Sequence, residues 1–280
     1  MFGKIAIRNI PPAVWEGLES LAGQHDRSTE AEARYALRSW VEPLLQRNER
    51  SARCAEVSAR MRELLDQVNS VPRRGWSLKP SHIAQAIGED HAEAVENWFT
   101  GQVEPSFKQL DAVAEYLGGA SSWLKHSDGS MFPVQYDERI PEIPAEGVSW
   151  LLKSKPNECL TGLFFVRKDD EIGSLAIIKK YGDSRCMTYS TPYHVSEAIG
   201  AGGEASLAHL SVIWRLLYKH YTKLGTRLII KSYLLSEPGF RSLQEGKIHP
   251  LTILRESGQD VPWWEDFWDV SQYPQHNYWP

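Results

Sequence analysis

Polarity along the chain changes its period at Pro11. Before it, Lys4-Ile5-Ala6-Ile7-Arg8 alternates, with Ile5 and Ile7 on one face and Lys4, Ala6 and Arg8 on the other, the pattern of a half-buried strand. After it, Pro12 suits a first helical turn, and Val14, Leu18, Leu21 and Ala22 recur at helical spacing toward a stop at Gly23. Ser28 and Thr29 offer caps, Thr29-x-x-Glu32 reads as a capping box, and Ala33, Ala36, Leu37, Trp40 and Val41 carry a second helix. Leu44 to Asn69 is mostly helical, with Pro43 either opening a new helix or kinking a continuous one. Short helices follow at 79–88, 91–100 and 105–118, with another turn from Ser121. Beyond a Pro-punctuated linker at 136–144, strands are expected at 160–166, 175–181 and 187–189, with 168–173 as the first turn. A long helix spans 206–224, lined by Leu207, Leu210, Ile213, Trp214, Leu217, Tyr218 and Tyr221. A buried strand at 227–235 and shorter helical pieces after Pro238 and Pro250 close an α+β region, read as meander-like strands around one helix.

A strand and two short helices cannot bury a core alone, because domains below about 40 residues usually need a partner or a staple. A lone strand also leaves its backbone edges unpaired. Both problems vanish if two copies pair their strands and intertwine their helices. The run from Ile5-Ala6-Ile7-Arg8-Asn9-Ile10-Pro11 to Arg27-Ser28-Thr29-Glu30-Ala31-Glu32 resembles a ribbon-helix-helix DNA-binding domain of the antitoxin-like branch. The resemblance implies a two-stranded ribbon lying in the major groove. Lys4, Ala6 and Arg8 would then face base edges, with Arg8 able to contact guanine through two hydrogen bonds. Arg27, Ser28 and Thr29 would meet a backbone phosphate at the start of the second helix. The competing view is a dimerisation module whose ribbon touches no DNA.

Residues 57–130 are similar to a phage-repressor (Xre/Cro-type) helix-turn-helix domain. The motifs are Ile83-Ala84, Ile87-Gly88, Trp98-x-x-Gly101-x-x-x-Pro105 and Leu110 through Leu117-Gly118. The resemblance makes the helix after Gly88 the reader of bases, yet Glu89, Asp90, Glu93 and Glu96 put carboxylates where phosphates repel them. Candidate DNA contacts in this region are Arg73, Arg74, Lys79, His82, His91 and Asn97. The alternative is a helix pair used for dimerisation or for binding a protein.

Charge sharpens this picture. The 280-residue chain carries a net −5, so no global field favours nucleic acid, but the balance is local: +4 over 43–80 and −6 over 81–130. Arg47, Arg50, Arg53, Arg60 and Arg62 form a basic belt, read first as a solvated helix face and otherwise as a surface tracking phosphates or a partner. Cys54, Cys159 and Cys186 lack C-x-x-C spacing, which points to a reducing compartment, and Cys159 and Cys186 read as buried small hydrophobes. No run approaches a membrane span and Met1-Phe2-Gly3-Lys4 opens no signal-peptide pattern, so a cytoplasmic location is expected.

Gly200-Ala201-Gly202-Gly203, the acidic turn at 169–171 and the scattered histidines form no catalytic constellation. No enzyme, metal or cofactor is expected. The aromatic end, with Trp263, Trp264, Trp268 and Trp279, either folds back onto its own sheet or anchors a partner. The expected architecture is multidomain: a ribbon-helix-helix intertwined dimer at 1–43, a helical connector and all-α helix-turn-helix at 44–135, and a C-terminal α+β domain at 145–280. The expected function is that of a sequence-specific DNA-binding transcriptional regulator, probing double-stranded DNA as a homodimer and repressing transcription, with a partner or effector held by its C-terminal domain. The alternative is an antitoxin-like, architectural or adaptor protein that uses these folds for assembly.

Overall fold

The computed structural model describes residues 7–72, 76–154, 158–196, 200–223 and 228–266. The chain divides into two compact units, residues 1–56 and 57–280.

The first unit holds α1 (Pro12–Gln24) and the beginning of α2 (Thr29–Asn69). Residues 7–10 pair with no other strand among the described residues, and positions 1–6 of the expected strand lie outside them. Gly23 does not stop α1. The helix runs on to Gln24, His25 caps it, and Asp26 takes a left-handed φ of 54°. The Arg27 N–H then donates to the Ala22 carbonyl at 2.9 Å, closing the turn. Ser28 caps α2: its Oγ accepts from the Ala31 N–H at 3.2 Å. Pro43 neither starts nor ends a helix, since α2 continues through it to Asn69.

In the second unit, the end of α2 packs with α3 (Pro80–Ile87), α4 (Ala92–Thr100), α5 (Phe107–Leu117) and α6 (Ser121–His126) around Met61, Leu64, Ile83, Val95, Leu110, Leu117 and Leu124. Gly88, Gly101 and Gly118, all left-handed, end α3, α4 and α5. At Gly118 space matters as well as φ, because a Cβ there would lie 2.9 Å from the Arg185 side chain. Ser106 caps α5 through a reciprocal bond pair with Gln109.

A six-stranded sheet follows: β1 (Val134–Gln135), β2 (Leu160–Lys168), β3 (Ser174–Tyr181), β4 (Arg185–His194), β5 (Ile229–Leu235) and β6 (Gly258–Asp260). The spatial order is β1-β4-β3-β2-β5-β6. The β2-β3-β4 portion is the expected meander, but β5 returns beside β2 in parallel, and β1 lies parallel to β4. α7 (Pro144–Leu152) and α8 (Ala201–Lys223) cover one face through Leu151, Leu163, Phe165, Ile177, Ile213 and Trp214. α9 (Glu237–Glu245) and α10 (Pro250–Ser257) cover the other through Phe164, Val166, Ile178, Leu235, Phe240 and Ile253. Burial on both faces explains why β2 reads as an apolar run, Leu163 to Val166, rather than an alternation. The long helix is therefore one of several layers rather than the centre of a meander.

The helical and sheet parts of this unit share hydrogen bonds. The Phe132 N–H donates to the Gly246 carbonyl at 2.8 Å, and the His249 N–H donates to Gln67 Oε1 at 3.1 Å. The buried His249 ring donates from Nε2 to the Ser184 carbonyl at 2.8 Å and accepts from the Leu251 N–H through Nδ1, which fixes its neutral form.

Candidate nucleic-acid interface

The expected contacts of the first unit fall into two groups. Lys4 and Ala6 lie outside the described residues, and Arg8 is exposed just before α1. Arg27, Ser28 and Thr29 come together at the start of α2, with Arg27 and Ser28 exposed and Thr29 half-buried. Beneath them lies a group that residue spacing did not reveal. Glu32 is 4% exposed, and its carboxylate accepts from His25 Nδ1 at 2.9 Å and from Arg27 Nη1 at 3.4 Å. Glu32 thus reaches back across the turn to side chains five and seven residues earlier instead of closing a capping box on Thr29. The Arg27 guanidinium also sits 4.5 Å from the Tyr35 ring centre.

Apolar side chains in this unit face outward. Ile7, Val14, Trp15, Leu21, Leu37, Trp40 and Val41 are exposed, Trp40 at 71%. Among the described side chains of this unit only Ala22, Glu32 and, near its end, Cys54 are buried. Exposed apolar side chains at helical spacing are the kind of surface on which proteins associate.

The second group of candidates is less convergent. Arg73 and Arg74 lie outside the described residues. Lys79 and His82 are exposed, but His82 is committed, since its Nδ1 accepts from the Lys79 N–H and its ring packs on Trp76. His91 precedes α4 and is exposed, while Asn97 is half-buried. Asp90, just before α4, and Glu93 and Glu96 on it are exposed. Two members of the basic belt are not a solvated face. Arg60 donates to the carbonyls of Leu124 and Lys125 at the end of α6, and Arg62 to that of Phe99 at the end of α4. Guanidinium at a helix C-terminus pairs with orphan carbonyls and with the negative end of the dipole.

Trp263 and Trp264 fold back onto the sheet, the first of the two readings of the aromatic end. Trp264 is buried against Phe165, and Trp263 packs on Trp214 while its indole N–H donates to the Tyr233 carbonyl. Trp264 is core and Trp263 half-buried against it, whereas Trp268 and Trp279 lie outside the described residues. Cys186 is buried, its thiol pushed up to about 12 by loss of solvation, but Cys159 is exposed rather than buried. Gly202 and Gly203 belong to the first turn of α8, and Asp170 is tied to the Gly173 N–H and to Lys168 in an ordinary hairpin turn. Among the described residues no helix is long and apolar enough to cross a membrane, and no group of His, Cys, Asp and Glu could hold a metal ion.

One buried cation stands apart. Lys179, in the middle of β3, lies 3.7 Å from the Trp150 ring centre and 5.2 Å from that of Tyr189, and donates to the Trp150 carbonyl. Burial lowers its ammonium to about 8, against a weaker opposing pull from Glu138.

Residues 4–41 match the family model of FitA-like antitoxin ribbon-helix-helix domains. Ribbon-helix-helix antitoxin domains bind DNA and dimerise. The matched stretch ends within α2 and contains the exposed apolar stripe, Arg8, and the whole Arg27–Glu32 turn. No curated protein and no solved structure matches the chain.

Proposed function

We propose that this chain is a sequence-specific DNA-binding transcription regulator, a repressor that works as a homodimer through its N-terminal ribbon-helix-helix. The observation that carries the reading is the contrast within residues 7–42: apolar side chains stand exposed where a second copy would cover them, while Arg8, Arg27 and Ser28 stand exposed where DNA would meet them. Pairing two ribbons satisfies the strand edges and buries Ile7, Leu37 and Trp40 in one step. The ribbon then carries two copies of Lys4, Ala6 and Arg8 into one major groove, and each α2 start meets a phosphate. The larger unit acts as the partner- or effector-binding part, not as an enzyme.

The helix pair α3–α4 has a different role in this reading. Its outward carboxylates and the internal use of Arg60 and Arg62 favour assembly or protein binding over base readout. The test is fluorescence anisotropy on the region upstream of the protein's own gene, with nonspecific competitor at several salt concentrations. Arg8→Ala weakens competitor-resistant binding by about 1–3 kcal/mol if the ribbon reads bases. Unchanged binding in Arg8→Ala moves recognition away from the ribbon.

A further inference from the structure

We propose that Glu32 is a positioning residue for phosphate contact, its buried carboxylate setting the Arg27 guanidinium and the His25 ring at the start of α2. The proposal rests on the DNA-binding reading above and adds to it two side chains, His25 and Glu32, that the sequence did not single out for contact.

The argument begins with cost. A carboxylate removed from water is expensive unless hydrogen bonds satisfy it. In a unit whose described side chains are mostly exposed, Glu32 is nevertheless 4% exposed. Each of its oxygens is engaged, Oε1 by His25 Nδ1 and Oε2 by Arg27 Nη1. Both donors come from one turn, which the left-handed Asp26 and the Arg27 N–H bond to Ala22 hold in place. The Tyr35 ring supports the guanidinium from a second side. Arg27 is thereby fixed at its base, yet 41% of its side chain is exposed, and a guanidinium has five N–H donors of which Glu32 needs few. His25, held to Glu32 through Nδ1, keeps 44% of its side chain exposed. A pre-set cation loses less freedom on meeting a phosphate than a mobile one does.

The sign of the effect separates this role from simple electrostatics. A carboxylate beside a phosphate repels it, so Coulomb's law alone has Glu32→Gln tighten DNA binding. Positioning demands the reverse. The experiment is a double-mutant cycle on the full chain, read by anisotropy on the upstream duplex, with circular dichroism and sedimentation verifying that each variant folds and dimerises. Arg27→Ala weakens binding by roughly tenfold and lowers the salt slope. Glu32→Gln weakens it by roughly three- to tenfold in the native background and has no effect, or a slight tightening, in the Arg27→Ala background. Tyr35→Leu gives a second route should Glu32→Gln fail to fold, and follows the same pattern. Additive losses, or tightening by Glu32→Gln in the native background, overturn the proposal while leaving DNA binding intact. A wild-type chain without competitor-resistant binding removes the DNA reading and this proposal with it.

Discussion

Within residues 57–280, Trp214, Trp264, Phe165, Met61 and Leu64 are all but inaccessible to solvent, whereas within residues 1–56 Trp40, Ile7 and Val14 are each more than half exposed. The same side-chain chemistry thus sits in opposite environments in one chain. The larger unit buries three apolar clusters, one among helices and one on each face of a sheet. The smaller unit has Ala22, Glu32 and Cys54 as its buried described residues. On the proposed reading a second copy completes that unit. The buried charges differ in the same way. Glu32 accepts hydrogen bonds from an arginine and a histidine of its own turn, while Lys179 rests on Trp150 and Tyr189 with no carboxylate bonded to it among the described residues. The first charge lies beneath an exposed arginine, and the second is a cost carried inside an apolar core.

The largest effects should separate the two units cleanly. Trp214→Ala removes a fully buried indole packed on Phe165 and Trp263, and should destabilise the larger unit by about 3–5 kcal/mol, read by calorimetry, with dimer affinity unaltered. Trp40→Ala should do the converse, since a 71% exposed side chain contributes little to one chain alone. Dimer dissociation should rise by an amount corresponding to about 2–3 kcal/mol, with the melting of the larger unit unmoved. A loss of larger-unit stability in Trp40→Ala breaks the comparison.

Lys179 supplies the next effect and its sign follows from linkage. Its folded-state value, about 8, lies below the ordinary 10.5, so between these values the unfolded chain binds more protons. Stability therefore rises as pH increases from about 8 toward 10, above which the buried tyrosines, whose ionisation burial opposes, reverse the trend. Lys179→Met should abolish that rise and add on the order of 1–3 kcal/mol near pH 7, checked by denaturant unfolding across pH. The smallest effect is Arg60→Ala. Loss of its bonds to the end of α6 should cost about 1–2 kcal/mol of stability and leave DNA affinity unchanged, which anisotropy and thermal unfolding measure together.

Hydrophobic period made α1, the start of α2, β2, β3, β5 and α8 legible, and glycines followed by polar residues marked the ends of α3, α4 and α5. Other elements carry no period to detect. β1 and β6 have two and three residues, and their existence depends on partners far away in the chain. α7 begins at Pro144 in a stretch whose prolines suggested a linker. The parallel return of β5 beside β2 is likewise nonlocal. At the candidate interface, residue type identified Arg8, Arg27 and Ser28, but Glu32 was read as a local cap because its true partners lie across a turn. Arg60 and Arg62 looked like a solvated belt because the carbonyls they serve belong to other helices. Composition flagged Trp263 and Trp264 and left open whether they fold back or anchor a partner; Trp264 is buried and Trp263 half-buried against the same cluster.

The central claim is that the N-terminal unit completes its core only against a second copy. Sedimentation velocity on the full chain and on Ile7→Glu, which places a charge on the inner face of the ribbon, tests it most directly. The account predicts a dimer for the wild type at micromolar concentration and a monomer for Ile7→Glu, with identical melting of the larger unit. A monomeric wild type, or an Ile7→Glu dimer of undiminished affinity, would contradict it.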